Sequence, residues 1–183
     1  MSQLYLISDL HLGHKNILKF SPMRGGTDTI THSEWLVAQW NSVVTKQDRV
    51  WVLGDVCFDK KHMKYLGQMR GQKTLILGNH DTFKVELYKE YFNRIYGLYK
   101  KDNIWFSHAP IHAGSLRNGY NIHGHLHERI VEDPHNFSRY FNVSVERCRG
   151  IPIEYERVKY LLEYGTLLCN INNDINTSNN NTR

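Results

Sequence analysis

Thr74-Leu75-Ile76-Leu77-Gly78-Asn79-His80-Asp81 joins two kinds of chemistry in one short stretch. Its apolar half is a continuous run that ends at glycine, as a strand buried on both faces would be. Its polar half has no packing use. The stretch therefore predicts a buried strand that delivers Asn, His and Asp side chains to one place.

The same pattern recurs along the chain. Leu4–Ile7 leads to Ser8-Asp9-Leu10-His11, and Val50–Leu53 leads to Gly54-Asp55. Ile104–Phe106 leads to Ser107-His108, and Asn121-Ile122 leads through His123-Gly124 to His125-Leu126-His127. In open α/β sheets, ligand sites form beyond the carboxyl ends of the strands. Five such ends bearing Asp, His or Asn predict one shared crevice. Asp9 and His11 lie two apart, so in an extended chain both point to one side and can grip one ion. His125 and His127 repeat that spacing. The glycines before Asp55, Asn79 and His125 predict sharp turns or close backbone approach there. Oxygen and imidazole donors without thiolate suit manganese, iron, zinc or cobalt better than calcium.

Helical patterns separate these runs. Ser33 and Glu34 predict a helix start running to about Val44, with Leu36, Trp40 and Val43 on its buried face. Lys60–Met69, Phe83–Tyr91 and Glu154–Tyr164 are further predicted helices, the last stopped by Gly165. Ile95–Tyr99 and Ile104–Phe106 predict a strand pair turning at Lys101-Asp102-Asn103, and Tyr140–Val145 a further strand. Alternating strands and helices with such a pair predict an α/β layered sandwich with mixed sheets. Residues 1–169 read as one domain. The Asn-rich end, residues 170–183, lacks apolar anchors and reads as a disordered tail.

The chain has 183 residues, a net charge of +5 and a sequence pI near 9.1. That balance favours an anionic partner, although no Lys/Arg block marks a nucleic-acid tail. Cys57, Cys148 and Cys169 stand apart, which predicts no disulfide framework and no thiolate zinc site. No apolar run approaches a membrane span and no secretory leader is visible, so a cytoplasmic protein is expected.

The ordered series DxH, GD, GNHD, H and GHxH resembles the calcineurin-like metallophosphoesterase superfamily from about Leu4 to Val145, and the opening stretch resembles its small bacterial and phage branch. The resemblance implies a four-layer α/β sandwich with two divalent ions, manganese foremost, and iron, zinc, cobalt or nickel as alternatives. It implies that one ion is held by Asp9, His11, Asp55 and His127. The other is held by Asp55, Asn79, His108 and His125. His80 is then expected to face the phosphate, with Asp81 orienting it. The implied reaction is hydrolysis of a phosphomonoester or phosphodiester by a hydroxide activated between two metals.

Three further side chains are candidate contacts to an anionic phosphorylated substrate: His14 after the first ligand pair, Arg24 in the Arg24-Gly25-Gly26 loop, and Arg117 in the segment before the last ligand strand. His123 reads as core or as a support for the ligands, and His32, His62 and His135 read as surface histidines. Two other functions compete. A nuclease or nucleic-acid end-processing enzyme would use the same site. A non-catalytic scaffold would keep the fold and lack some ligands, and here none is missing. A homodimer sharing loops is also an expectation of the short, open-sited domain.

Overall fold

In the computed structural model, which describes residues 2–132 and 139–164, alternate residues of the first strand serve different cores. Leu4 and Leu6 of β1 (Leu4–Ile7) enter one apolar cluster, and Tyr5 and Ile7 enter another. Both faces of the strand are buried, which is why its sequence is continuously apolar. β1 pairs in parallel with β2 (Arg49–Val52), β2 with β3 (Gln72–Ile76), and β3 with β4 (Arg94–Tyr96). A final short strand, β9 (Ile153–Glu154), closes the other edge antiparallel to β1.

The second sheet runs β5 (Tyr99–Lys101), β6 (Ile104–Phe106), β7 (Tyr120–His123) and β8 (Tyr140–Asn142). Its first pair is antiparallel and the others parallel, so both sheets are mixed. Ile104, Phe106 and Ile122 meet Leu4, Leu6 and Ile76 between the sheets, and Trp51 sits edge-on to Phe106 at 4.8 Å. On the far face of the first sheet, α2 (Thr29–Asn41), α3 (Lys64–Gln68) and α4 (Val85–Lys89) cover Tyr5, Ile7, Val50 and Val52 with Leu36, Trp40, Leu66 and Tyr88. On the far face of the second sheet, the segment with α5 (Ala113–Leu116) is tied down by Tyr140 Oη, which donates to the Ile111 carbonyl, and by Ile111 N, which donates to Asn121 Oδ1. The layers are helix, sheet, sheet and helix-bearing segment.

Several boundaries depart from the sequence expectation, each for a local reason. The first long helix starts at Thr29, because the Asp28 carboxylate accepts from Ile30 N and Thr31 N while Thr31 Oγ1 accepts from Asp28 N. Lys60–Met69 divides into a 3₁₀ turn, Lys60–His62, and α3. The single strand expected over residues 95–99 is two strands in two sheets. β4 ends at Tyr96, the chain crosses over at Gly97-Leu98, and β5 begins at Tyr99. The hairpin itself is present as β5–β6, with Asp102 and Asn103 at φ 50° and 60°, as a two-residue primed turn requires. The expected strand to Val145 stops at Asn142, and Val145 opens α6 (Val145–Cys148). After β9 a last helix covers residues 155–164.

His32 and His62 are buried, not on the surface. His62 Nδ1 is 2.9 Å from Ser33 Oγ, and burial pushes His32 down to about 3, keeping it neutral. His135, Cys169, Gly165 and the 170–183 tail lie outside the described residues. No helix among the described residues is long and apolar enough to cross a membrane.

Candidate metal centre

All five ligand-bearing loops leave the carboxyl ends of their strands on one side of the sandwich. At Ser8 the chain touches both sheets: Ser8 N donates to the Val143 carbonyl, and Ser8 Oγ donates to the Leu53 carbonyl. Beyond it, Asp9 and His11 are not extended as the spacing argument expected. Their φ angles are 60° and 52°, and Asp55, His125 and His127 are left-handed as well, at 53°, 66° and 53°. Asp9 N and His11 N nevertheless stay paired, to the Gly54 and Asp55 carbonyls. The left-handed backbone turns the side chains inward, at about 1–2 kcal/mol for each L-residue. Such strain gathers at functional sites, where the surrounding structure enforces it. The backbone also has to come close at Gly124, where a Cβ would collide with Ser8 Oγ and Asp9 Oδ2.

The side chains gather into two clusters, Asp9-His11-His127 and Asp55-His108-His125, each with its ligand atoms within 4.8 Å of one another. Asp55 Oδ2 lies 3.4 Å from His108 Nε2 and 3.7 Å from His11 Nε2, so it reaches both clusters. Asn79 joins the second through Oδ1, 3.0 Å from His108 Nε2, and His125 Nδ1 is 3.2 Å from that same nitrogen. The arrangement fits a pair of metal ions. Both His11 ring nitrogens are buried without a hydrogen-bond partner, an arrangement costing about 1–3 kcal/mol for a buried polar group unless something binds there. Burial pushes His11 below its ordinary pKa, leaving the neutral imidazole a metal needs. Burial would raise both carboxyls, but nearby His108 holds Asp9 and Asp55 below the usual range.

His80 is exposed at the rim, with its ring 4.8 Å from Phe58 and 6.3 Å from His11. Its own N–H donates to Asp55 Oδ1. Asp81 does not orient the His80 ring as expected. Its carboxylate is taken up by three backbone amides, Asp55 N, Val56 N and Gly78 N, and so fastens the two ligand loops together.

Arg24 points into the protein, away from solvent. It is 3% exposed, and its guanidinium is spent on Glu146 and on the Asp9 and Leu10 carbonyls. It therefore holds the first ligand loop from beneath and does not face a substrate. Glu146, absent from the sequence reading, touches both Arg24 and His127. Arg117 is exposed after α5, with its carbonyl accepting from Arg139, and it lines neither groove beside the clusters. His14 lines both. One groove, of about 310 Å³, runs past His11 and His127 between Ile17, Phe20 and Leu126. The other, of about 400 Å³, has Lys15, Lys60 and Phe58 on its walls. His123 is buried in the core behind the second sheet's last ligands.

Two mixed sheets with paired histidine–carboxylate clusters at their strand ends define an α/β protein with two candidate metal-binding groups. The chain belongs to the calcineurin-like phosphoesterases, whose family model matches residues 3–169. That family uses divalent metals and is generally hydrolytic. An uncharacterized protein of Methanocaldococcus jannaschii is 33% identical, over 94% of this chain and 98% of its own length. The gene 66 protein of Mycobacterium phage L5 is 37% identical over 44% of this chain and 41% of its own length. A solved structure of a protein of unknown function from Aquifex aeolicus shares the fold, with a TM-score of 0.71 over 88% of this chain and all of its own, at 24% identity.

Proposed function

We propose that this chain hydrolyses a phosphate ester, of a nucleotide or another small phosphorylated compound, with two divalent ions seated in the paired clusters. The observation that carries the reading is the single Asp55 carboxylate within reach of histidines from both clusters. Bound divalent ions supply a hydroxide nucleophile near neutral pH and offset charge on phosphoryl oxygens. The donors admit manganese, iron, zinc, cobalt or nickel, and manganese is the ion proposed.

The chain's own side chains set the rest. Asp9 and Asp55 contribute only two negative charges, and Asn79 contributes none, so the loaded cavity stays positive toward a phosphate. The His80 imidazole sits at the rim, free to bond a phosphoryl oxygen and pass a proton to the departing one. The groove past His11 and His127 offers room for the remainder of the substrate.

The test compares p-nitrophenyl phosphate with bis-p-nitrophenyl phosphate in manganese, beside metal-stripped protein and Asp55→Asn. Turnover that disappears in both controls is expected. Diester turnover would direct the next assays to cyclic nucleotides and nucleic acids, and monoester turnover to nucleotides and phosphorylated metabolites. Undiminished turnover by Asp55→Asn, or a protein that takes up no metal, overturns the proposal.

A further inference from the structure

The two clusters are supported in different ways. In the Asp55-His108-His125 cluster, His108 Nδ1 is 2.8 Å from a main-chain oxygen, the Leu53 carbonyl. The Asp9-His11-His127 cluster has, besides the His125 amide that donates to Asp9 Oδ2, side-chain support from one short segment, Ser144 and the first turn of α6. Ser144 Oγ lies 2.8 Å from Asp9 Oδ2. Glu146 Oε1 lies 3.1 Å from His127 Nδ1. The same Glu146 oxygen receives Arg24 Nη2 at 2.6 Å and Arg24 Nε at 2.8 Å, with the Arg24 and Glu146 side chains at 0% and 1% exposure.

A buried carboxylate in such a place requires a reason, because burying an ion pair gives little net stability over an apolar pair. The geometry supplies one. A carboxylate on one imidazole nitrogen fixes the ring and tautomer and makes the other nitrogen a stronger donor to a metal. Arg24 balances the Glu146 charge, and its remaining protons bind the Asp9 and Leu10 carbonyls. One Arg–Glu pair thus braces two of the three cluster members, Asp9 through its backbone and His127 through its ring.

We infer that Glu146, held by Arg24, is a positioning residue for one metal subsite alone, that of Asp9, His11 and His127, leaving the other subsite independent of it. The inference rests on the two-metal reading above and adds that the two subsites depend on different residues.

The test is calorimetric titration of manganese into metal-stripped protein, repeated with cobalt to read the ligand-field spectrum of each ion. Wild type is expected to take two ions. Glu146→Gln is expected to weaken one ion by about 10–100-fold and leave the affinity and spectrum of the other unchanged. Because a lone buried Arg24 could impair folding of that variant, Arg24→Met/Glu146→Gln removes the stranded charge and should show the same one-sided loss. Two ions at wild-type affinity in the folded variants overturn the inference, as does an equal weakening of both. A wild-type protein that binds no ion at all overturns the two-metal reading first, and the inference falls with it.

Discussion

At the scale of single residues, His80 and Asp81 are sequence neighbours with different duties. His80 presents its ring at the rim and only its amide to Asp55, whereas Asp81 turns its carboxylate inward to three amides. His80→Ala should therefore retain both metals while turnover falls by about 10²–10⁴-fold. Metal analysis beside kinetics checks this, and wild-type turnover in the mutant would remove His80 from the mechanism. The candidate ligands were legible because each follows an apolar run and carries a donor atom. The support behind them was not. Glu146 lies in Ser-Val-Glu-Arg-Cys, which reads as an ordinary short helix, and its partner Arg24 is distant in sequence. Arg24 looked like a substrate contact because a cation in a Gly-rich loop ordinarily stays in solvent. Only the three-dimensional approach of Glu146 makes its burial affordable.

At the scale of elements, the turn before β2 shows how a strand acquires its register. Asp48 Oδ1 accepts from Gln3 N ahead of β1, and Oδ2 accepts from Thr45 N and Thr45 Oγ1. Asp48→Ala should lower stability by about 1–3 kcal/mol, measured by urea unfolding. The hydrogen bonds from Thr45 and Gln3 hold the Asp48 carboxyl below its ordinary pKa. Its stabilisation is therefore complete above the ordinary carboxylate pKa and is lost as pH falls through the depressed folded value. The difference in stability between wild type and Asp48→Ala should shrink as the medium is acidified through that range. An unchanged difference would mean that the carboxylate charge contributes nothing. Strand cores were legible because both faces of the first sheet are buried and apolar runs mark such strands. The break at Gly97-Leu98 was not, since an apolar run shows that a segment is buried and says nothing of which sheet receives it. The start of α2 was not legible because its capping partner is Thr31, not the acidic residue usual at that position.

At the scale of the whole molecule, the paired clusters bind two sheets into one unit, so ligation should stabilise the fold globally. A divalent ion at a hundred times its dissociation constant should add about 2.7 kcal/mol, raising the melting temperature by roughly 5–10 °C. Thermal melts in manganese and in chelator check this, and identical melts would deny the ions any preference for the folded state. The four-layer arrangement was legible only through family resemblance. Local patterns indicated strands and helices, while the division into two sheets depends on pairings between distant residues. Those distances also bear on the order of folding. Asp9 meets the His125 amide across 116 positions and the Ser144 hydroxyl across 135. The first cluster therefore closes only when segments far apart in the sequence have met. Metal affinity should accordingly appear late in refolding, after local structure has formed.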